Sequence, residues 1–231
     1  MEYETTAQAL GAFDTDSAHI ALENVSPADI EAKSFAIIGE ELAAMGKTLR
    51  EEYAPIIKRV IHTTADFSYA DTLVFSEGAL QQGLQAIREG ACIVTDTQMA
   101  KAGINKRMLA DYGGVVLNFM LDEDVAREAK ARGLTRAAVC MERAEALNRP
   151  TIFAIGNAPT ALVRLYELMQ SGRLCPRLII GVPVGFVNVV QAKELILTAN
   201  APYIVARGRK GGSNVAAAIC NALIYLLGRP D

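Results

Sequence analysis

Short runs of apolar, largely β-branched residues recur along the chain at 72–75, 91–95, 114–118, 151–155, 178–182 and 203–206. Most are followed by a stretch with helical spacing, at 76–89, 122–131, 159–171 and 213–227. This alternation predicts a mainly parallel sheet covered on both faces by helices, a three-layer α/β/α arrangement. Two helices are expected ahead of the sheet. The first starts near Ser26-Pro27-Ala28-Asp29, where serine can cap free amides and proline suits the first helical position. It would bury Ile30, Phe35, Ile38 and Leu42 and stop near Gly46. The second, from about Glu51, turns Ile56, Ile57, Val60 and Ile61 towards the core and brings His62 near its C-terminal end. Residues 1–25 show no clear period and are expected to form an arm packed on the domain or on a partner, and 26–231 to form one α/β domain. No internal repeat or low-complexity segment interrupts the pattern.

Composition narrows the class. With 51% hydrophobic and 21% charged residues, the chain is too apolar for disorder. Its longest apolar window, at 215–227, contains Asn221 and falls short of the roughly 18 residues a spanning helix needs. The first residues, Met1-Glu2-Tyr3-Glu4-Thr5-Thr6, lack the basic and apolar regions of a signal peptide, so a cytoplasmic location and no membrane partner are expected. Cys92, Cys140, Cys175 and Cys220 are scattered, with no pair at metal-ligand spacing, and are expected to be reduced thiols; no metal site is expected. A net charge of -3 argues against general nucleic-acid binding and directs attention to where the cations gather.

In sheets of this kind ligands bind beyond the carboxyl ends of the strands, so the loops there are the candidates. Asp96, after the run ending at Thr95, is either the cap of the next helix or a ligand contact. In Gly156-Asn157-Ala158-Pro159-Thr160, the glycine and Asn157 permit a sharp turn and the proline opens a helix, leaving amides for an anion, with Thr160 beside them. Gly181-Val182-Pro183-Val184-Gly185-Phe186-Val187 is either ordinary turn chemistry or a backbone suited to a flat apolar ligand, with Val184 and Phe186 as its surface. Arg207-Gly208-Arg209-Lys210-Gly211-Gly212-Ser213 is the strongest of the four. Its cations Arg207, Arg209 and Lys210, its flexible Gly211 and a serine able to cap the next helix suit a polyanion clamp. It matches neither the Walker nor the dinucleotide fingerprint.

His62 is one of two histidines in the chain. An imidazole titrates near neutrality and can both give and take a proton. Alone, it is equally well explained as a ring packed at the negative end of a helix.

The blocks Ser34-Phe35-Ala36-Ile37-Ile38, Val60-Ile61-His62-Thr63-Thr64-Ala65-Asp66, Ala154-Ile155-Gly156-Asn157-Ala158-Pro159-Thr160-Ala161-Leu162, Gly181 to Val187 and Arg207 to Ser213, in that order, resemble the precorrin-8X methylmutase family over about residues 28–228. The resemblance implies a flavodoxin-like fold, a homodimer with its active site near the subunit interface, and a role in cobalamin biosynthesis. The implied reaction is a 1,5-sigmatropic methyl shift from C-11 to C-12 of the macrocycle, giving hydrogenobyrinic acid, or cobyrinic acid when cobalt is already present. Thr63-Thr64-Ala65-Asp66 looks more like the cobalt-early branch. The resemblance also makes His62 the proton donor and acceptor, Ser34 a substrate contact and Arg136 a partner for substrate carboxylates. One departure stands out: the family's usual Glu-Ser-Lys is here Gln191-Ala192-Lys193.

A corrinoid is an apolar disc fringed with acetate and propionate groups, which fits a rim of cations around an apolar floor. A pericyclic shift needs no nucleophile or redox cofactor, so no cofactor is expected; a proton and correct orientation are what a protein can add. Two other readings remain open on the sequence: a corrinoid carrier without catalysis, and an α/β enzyme using the glycine- and arginine-rich loop on phosphate.

Overall fold

The computed structural model describes residues 29–228. The expected arm at 1–25 and the expected helix start at Ser26-Pro27 lie outside them. Two helices lead, α1 (Ile30–Ala44) and α2 (Ala54–Thr64), followed by the single turn α3 (Tyr69–Thr72), strand β1 (Leu73–Phe75) and α4 (Ala79–Arg88). Then come β2 (Cys92–Thr95), α5 (Gln98–Gly103), α6 (Lys106–Asp111), β3 (Val115–Leu117), α7 (Glu123–Arg132) and α8 (Arg136–Arg143). The chain continues through β4 (Thr151–Ile155), α9 (Pro159–Gln170), β5 (Leu178–Gly181), α10 (Val189–Leu197), β6 (Tyr203–Ala206) and α11 (Ser213–Leu227).

All six apolar runs become strands of one sheet in the order β1-β6-β5-β4-β2-β3. The five strands from β2 to β6 are parallel. Without β1 their order, counted from β2 as the first, is 2-1-3-4-5, the flavodoxin-like arrangement, whose topological switch point falls between the strands here numbered β2 and β4. β1 departs from the uniform parallel pattern that strand and helix alternation implies. It follows α3 directly and pairs antiparallel with β6, Leu73 opposite Ala206. β1 is the first strand among the described residues, so no strand-to-strand crossover fixes its direction, and it closes the β6 edge antiparallel. This reversal carries the end of α2 and the 65–72 segment to the carboxyl edge of the sheet, where the Arg207 amide donates to Thr72 O at 2.8 Å.

Side-chain alternation divides the core in two. Ile152, Ala154, Ile180 and Ile204 face α1, α2, α4, α5, α6 and α11, while Phe153, Ile155, Ile179 and Val205 face α7 to α10. The four cysteines are free, with Cys175 alone exposed. Among the described residues no helix is long and apolar enough to cross a membrane.

Two helix expectations need correction. Ile38 and Leu42 of α1 are buried, but Phe35 is half-buried and Ile30 is 50% exposed, so the buried face is narrower than its apolar pattern. α2 begins at Ala54 rather than Glu51, because 51–53 form a turn and Pro55 sits in the first helical turn. The expectation that Ser213 caps α11 also fails: the capping position is Gly212, and Ser213 is the first helical residue.

The start of α11 lies directly on the end of β4. A Cβ at Gly156 would stand 2.7 Å from Ser213 Cα, a distance that backbone cannot relieve cheaply. Gly156→Ala is expected to lower unfolding free energy by about 1–3 kcal/mol through overpacking. Chemical denaturation measures this, and a midpoint equal to the parent's would show that the two elements can separate without cost.

Candidate active site

At the switch point the Asp96 carboxylate reaches across from the end of β2 to the start of α9. Oδ1 accepts the Gly156 amide at 2.8 Å, and Oδ2 accepts the amides of Asn157 at 2.8 Å and Ala158 at 2.6 Å. The side chain is 2% exposed, so neither expected role holds. Thr97 caps α5 by accepting the Ala100 amide, and both oxygens of Asp96 are taken by the amides at 156–158. Burial pushes the carboxyl upward, while the backbone donors act in the opposite direction. The amides expected to meet an external anion therefore meet one supplied by the chain. Asn118, at the end of β3, braces the crevice by donating to Thr95 O at 2.7 Å, and Ser213 Oγ bonds Thr97 Oγ1 at 2.7 Å.

Around this centre the predicted residues form a rim. Asn157 and Thr160 are exposed, and the Thr160 hydroxyl bonds that of Thr135, the cap of α8, at 2.8 Å. Arg136 is the first residue of α8 and is exposed beside them. From the loop after β5, Val184 is 48%, Phe186 80% and Val187 77% exposed. The Arg209 guanidinium lies 5.3 Å from the centre of the Phe186 ring. Met99 and Leu121, in the segments after β2 and β3, add exposed apolar surface that the sequence reading missed. Their signal was available: large apolar side chains at the carboxyl ends of strands, where burial is not expected.

The cations of the last loop are less uniform than their spacing implies. Arg207 makes a two-point pair with Glu194, at 3.0 and 2.8 Å. Lys210 pairs with Asp66 at 2.7 Å and donates to Ser68 Oγ at 3.0 Å. Among the described residues Arg209 and Arg136 make no ion pair, which leaves them as the cations available to a ligand. Gly211 is needed for close approach, since a Cβ there would stand 2.1 Å from Val182 O. Beneath the loop, Lys193 is fully buried and donates to Gly208 O at 2.9 Å and Lys210 O at 2.8 Å. Burial pushes its ammonium down to about 8. The sequence placed Lys193 only in a departing motif; nothing in a helical lysine signals a buried ammonium.

His62 lies in the last turn of α2 and is exposed. Its ring meets Phe35 edge-on at 5.6 Å. Arg59 stacks on the same Phe35 at 5.1 Å and binds Glu31 through both guanidinium nitrogens, at 2.6 and 3.2 Å. Among the described residues no hydrogen bond engages either nitrogen of the His62 ring, so both are open to a proton partner. Ser34 is half-buried and its hydroxyl donates to Ile30 O at 2.8 Å. The structure brings Ser34 and His62 together on the α1/α2 layer, and Arg136, Asn157 and Thr160 together on the opposite layer. No hydrogen bond, ion pair or ring contact among the described residues joins the two groups; the Asp66 to Lys210 pair ties the end of α2 to the loop between them.

These features define a flavodoxin-like α/β protein with an apolar, cation-bearing rim at the carboxyl edge of its sheet. The precorrin-8X methylmutase family model matches residues 29–226. A cobalt-precorrin-8 methylmutase of Salmonella typhimurium is 46% identical, covering 87% of this chain and 96% of its own, and one of Priestia megaterium is 44% identical, covering 87% and 89%. The crystal structure of a precorrin-8x methyl mutase from Thermus thermophilus superimposes with a TM-score of 0.80 at 39% identity, covering 86% of this chain and 95% of that one. The chain belongs to the precorrin-8X methylmutase family, isomerases of cobalamin biosynthesis.

The buried Lys193 ammonium has a consequence for stability. Between about 8 and the ordinary 10.5 the unfolded chain holds the proton that the folded chain has lost, so stability rises with pH across that window. Relative to Lys193→Met, the parent should therefore gain unfolding free energy as pH climbs from 8 to 10.5. Parallel pH curves for the two proteins would contradict the burial of a charged amine.

Proposed function

We propose that this chain converts cobalt-precorrin-8, or its metal-free counterpart precorrin-8X, to cobyrinic or hydrogenobyrinic acid by moving a methyl group from C-11 to C-12 of the macrocycle. The observation that carries this reading is the exposed apolar loop of Val184, Phe186 and Val187 with the Arg209 guanidinium on the Phe186 ring; among the described residues Arg209 and Arg136 make no ion pair and the His62 ring makes no hydrogen bond. An apolar disc with carboxylates at its edge needs those two kinds of surface together. The cobalt-bearing substrate is favoured by the relatives from Salmonella typhimurium and Priestia megaterium, both named as cobalt-precorrin-8 methylmutases. Cobalt is then part of the substrate.

His62 acts as proton donor and acceptor. Protonating the conjugated macrocycle shifts electron density and weakens the bond from the methyl group to C-11; returning the proton to the imidazole leaves an isomer of the same composition. General acid catalysis of this kind supplies about 10²- to 10⁴-fold, and fixing the macrocycle in the product-like geometry supplies the rest. Ser34 contacts the substrate beside His62. Asn157, Thr160 and Arg136 contact it from the opposite layer, with Val184 and Phe186 as floor and Arg209 on a carboxylate. The separation of these two groups on one chain supports a homodimer with the active site near its interface. A cytoplasmic location is part of the same reading.

The phosphate-binding alternative is weakened, because two of the three cations of its loop, Arg207 and Lys210, are internally paired and Asp96 already holds the amides at the start of α9. A carrier without catalysis has no use for an exposed imidazole that no hydrogen bond among the described residues engages.

His62→Ala is expected to keep the fold and bind cobyrinic acid while kcat falls about 10²- to 10⁴-fold, followed by the absorbance change from substrate to corrin. Conversion at the parental rate would remove the histidine from the mechanism. Arg136→Ala and Arg209→Ala should each weaken corrinoid binding about tenfold, less at high salt, whereas Arg207→Ala should have a smaller effect because Glu194 holds that side chain. Equal losses at all three positions, measured by absorbance titration, would refute this ranking.

A further inference from the structure

An ammonium removed from water is costly unless paired, and the protein usually supplies a carboxylate. Lys193 has none among the described residues. Its neighbour Glu194 is engaged by Arg207, and Asp66 by Lys210. What Lys193 holds is backbone: the carbonyl oxygens of Gly208 and Lys210, at 2.9 and 2.8 Å. These belong to alternate peptide units of the loop, and the unit between them is turned the other way, with Arg209 O accepting the Gly185 amide at 3.1 Å.

The orientation of these carbonyls fixes that of their amides. The peptide bonds are trans, and across a planar trans unit the C=O and N–H point in opposite directions. With the Gly208 and Lys210 carbonyls drawn inward to Lys193, the amides of Arg209 and Gly211 face outward. Neither amide has an acceptor among the hydrogen bonds of the described residues. The neighbouring Gly212 amide is taken by Val182 O at 2.8 Å. Gly208 at φ 79° and Gly211 at φ 158° supply the backbone geometry such a zigzag requires. Two outward amides separated by one residue, above a buried positive charge and beside the Arg209 guanidinium, make a concave donor set for an anion.

We propose that Lys193 is a positioning residue whose ammonium draws two loop carbonyls inward and so presents the Arg209 and Gly211 amides as a recess for one carboxylate of the corrinoid. This rests on the corrinoid reading given above. The recess deepens that reading by assigning recognition at this loop to backbone donors as well as to side chains.

The test uses the full chain with cobyrinic acid and hydrogenobyrinic acid as probes. In the parent protein, labelled at backbone nitrogen, the Arg209 and Gly211 amide resonances should move downfield on saturation and exchange more slowly with solvent. In Lys193→Met, Kd for the same product should rise about tenfold, with the kinetic loss appearing in KM and the two amide responses gone. If the parent binds neither corrinoid, the functional reading fails and this inference fails with it. If the parent binds and the two amides do not respond, the recess is wrong while the functional reading stands. Parental affinity in Lys193→Met would overturn the positioning role. Should that variant not fold, Lys193→Gln serves in its place, and the amide measurement on the parent decides the matter independently.

Discussion

The crevice between β2 and β4 depends on one carboxylate. Asp96 takes three amides from the start of α9 and is closed off from solvent. A helix start beside a strand-order reversal is the usual place for a bound phosphate in this fold, because it offers free donors and the positive end of a helix. Here the anion is built in. Losing it would leave three amides without this partner, the Gly156 amide buried and the other two partly so, and the loops after β2 and β4 would lose a bond between them. Gly156, pressed on the first residue of α11, and Ser213, bonded to Thr97, extend the same junction to the last helix. The amides at the start of α9 are thereby closed to an external anion, and the exposed apolar and cationic side chains lie outside the crevice.

On that rim, charge is sorted by partner. Arg207 and Lys210 are held by Glu194 and Asp66 and stabilise the loop and its contact with the end of α2. Among the described residues Arg209 and Arg136 make no ion pair, and Arg209 lies on the exposed Phe186 ring. A surface that leaves Phe186 80% exposed with a guanidinium on its face is unfavourable to leave in water and favourable to cover with a flat, anionic-edged ligand. His62 sits to one side, at the end of α2, where contacts among Phe35, Arg59 and Glu31 shape the imidazole's surroundings and no hydrogen bond among the described residues engages its nitrogens. The imidazole and the residues of the opposite layer thus lie in different layers of the fold, with the end of α2 tied to the loop after β6.

All six strands and the two-faced covering of the sheet were legible from the sequence, because a strand buried on both sides needs an unbroken apolar run and a covering helix shows its period. Three of the five ordered motifs, 154–162, 181–187 and 207–213, occupy strand ends and helix starts, where backbone geometry restricts the residue, while 34–38 lies within α1 and 60–66 at the end of α2. The antiparallel entry of β1, the exposure of Ile30 and the burial of Lys193 were not legible. Each depends on which element packs alongside, and local periodicity carries no record of that. The same holds for Asp96. A polar residue after a strand is equally a cap, a ligand contact or a brace, and only its distance to residues sixty positions away distinguishes them.

The sequence by itself determined the kind of chemistry available: an imidazole in His62, a cluster of cations with glycines, and an apolar loop at a strand end. The tertiary structure decided which of those groups is free to act. Whether an arginine binds a ligand or a glutamate, and whether a carboxylate faces solvent or three amides, depends on neighbours brought close by the sheet from distant parts of the chain. Charge and hydrogen-bonding capacity are written residue by residue, but their availability is settled only by contact.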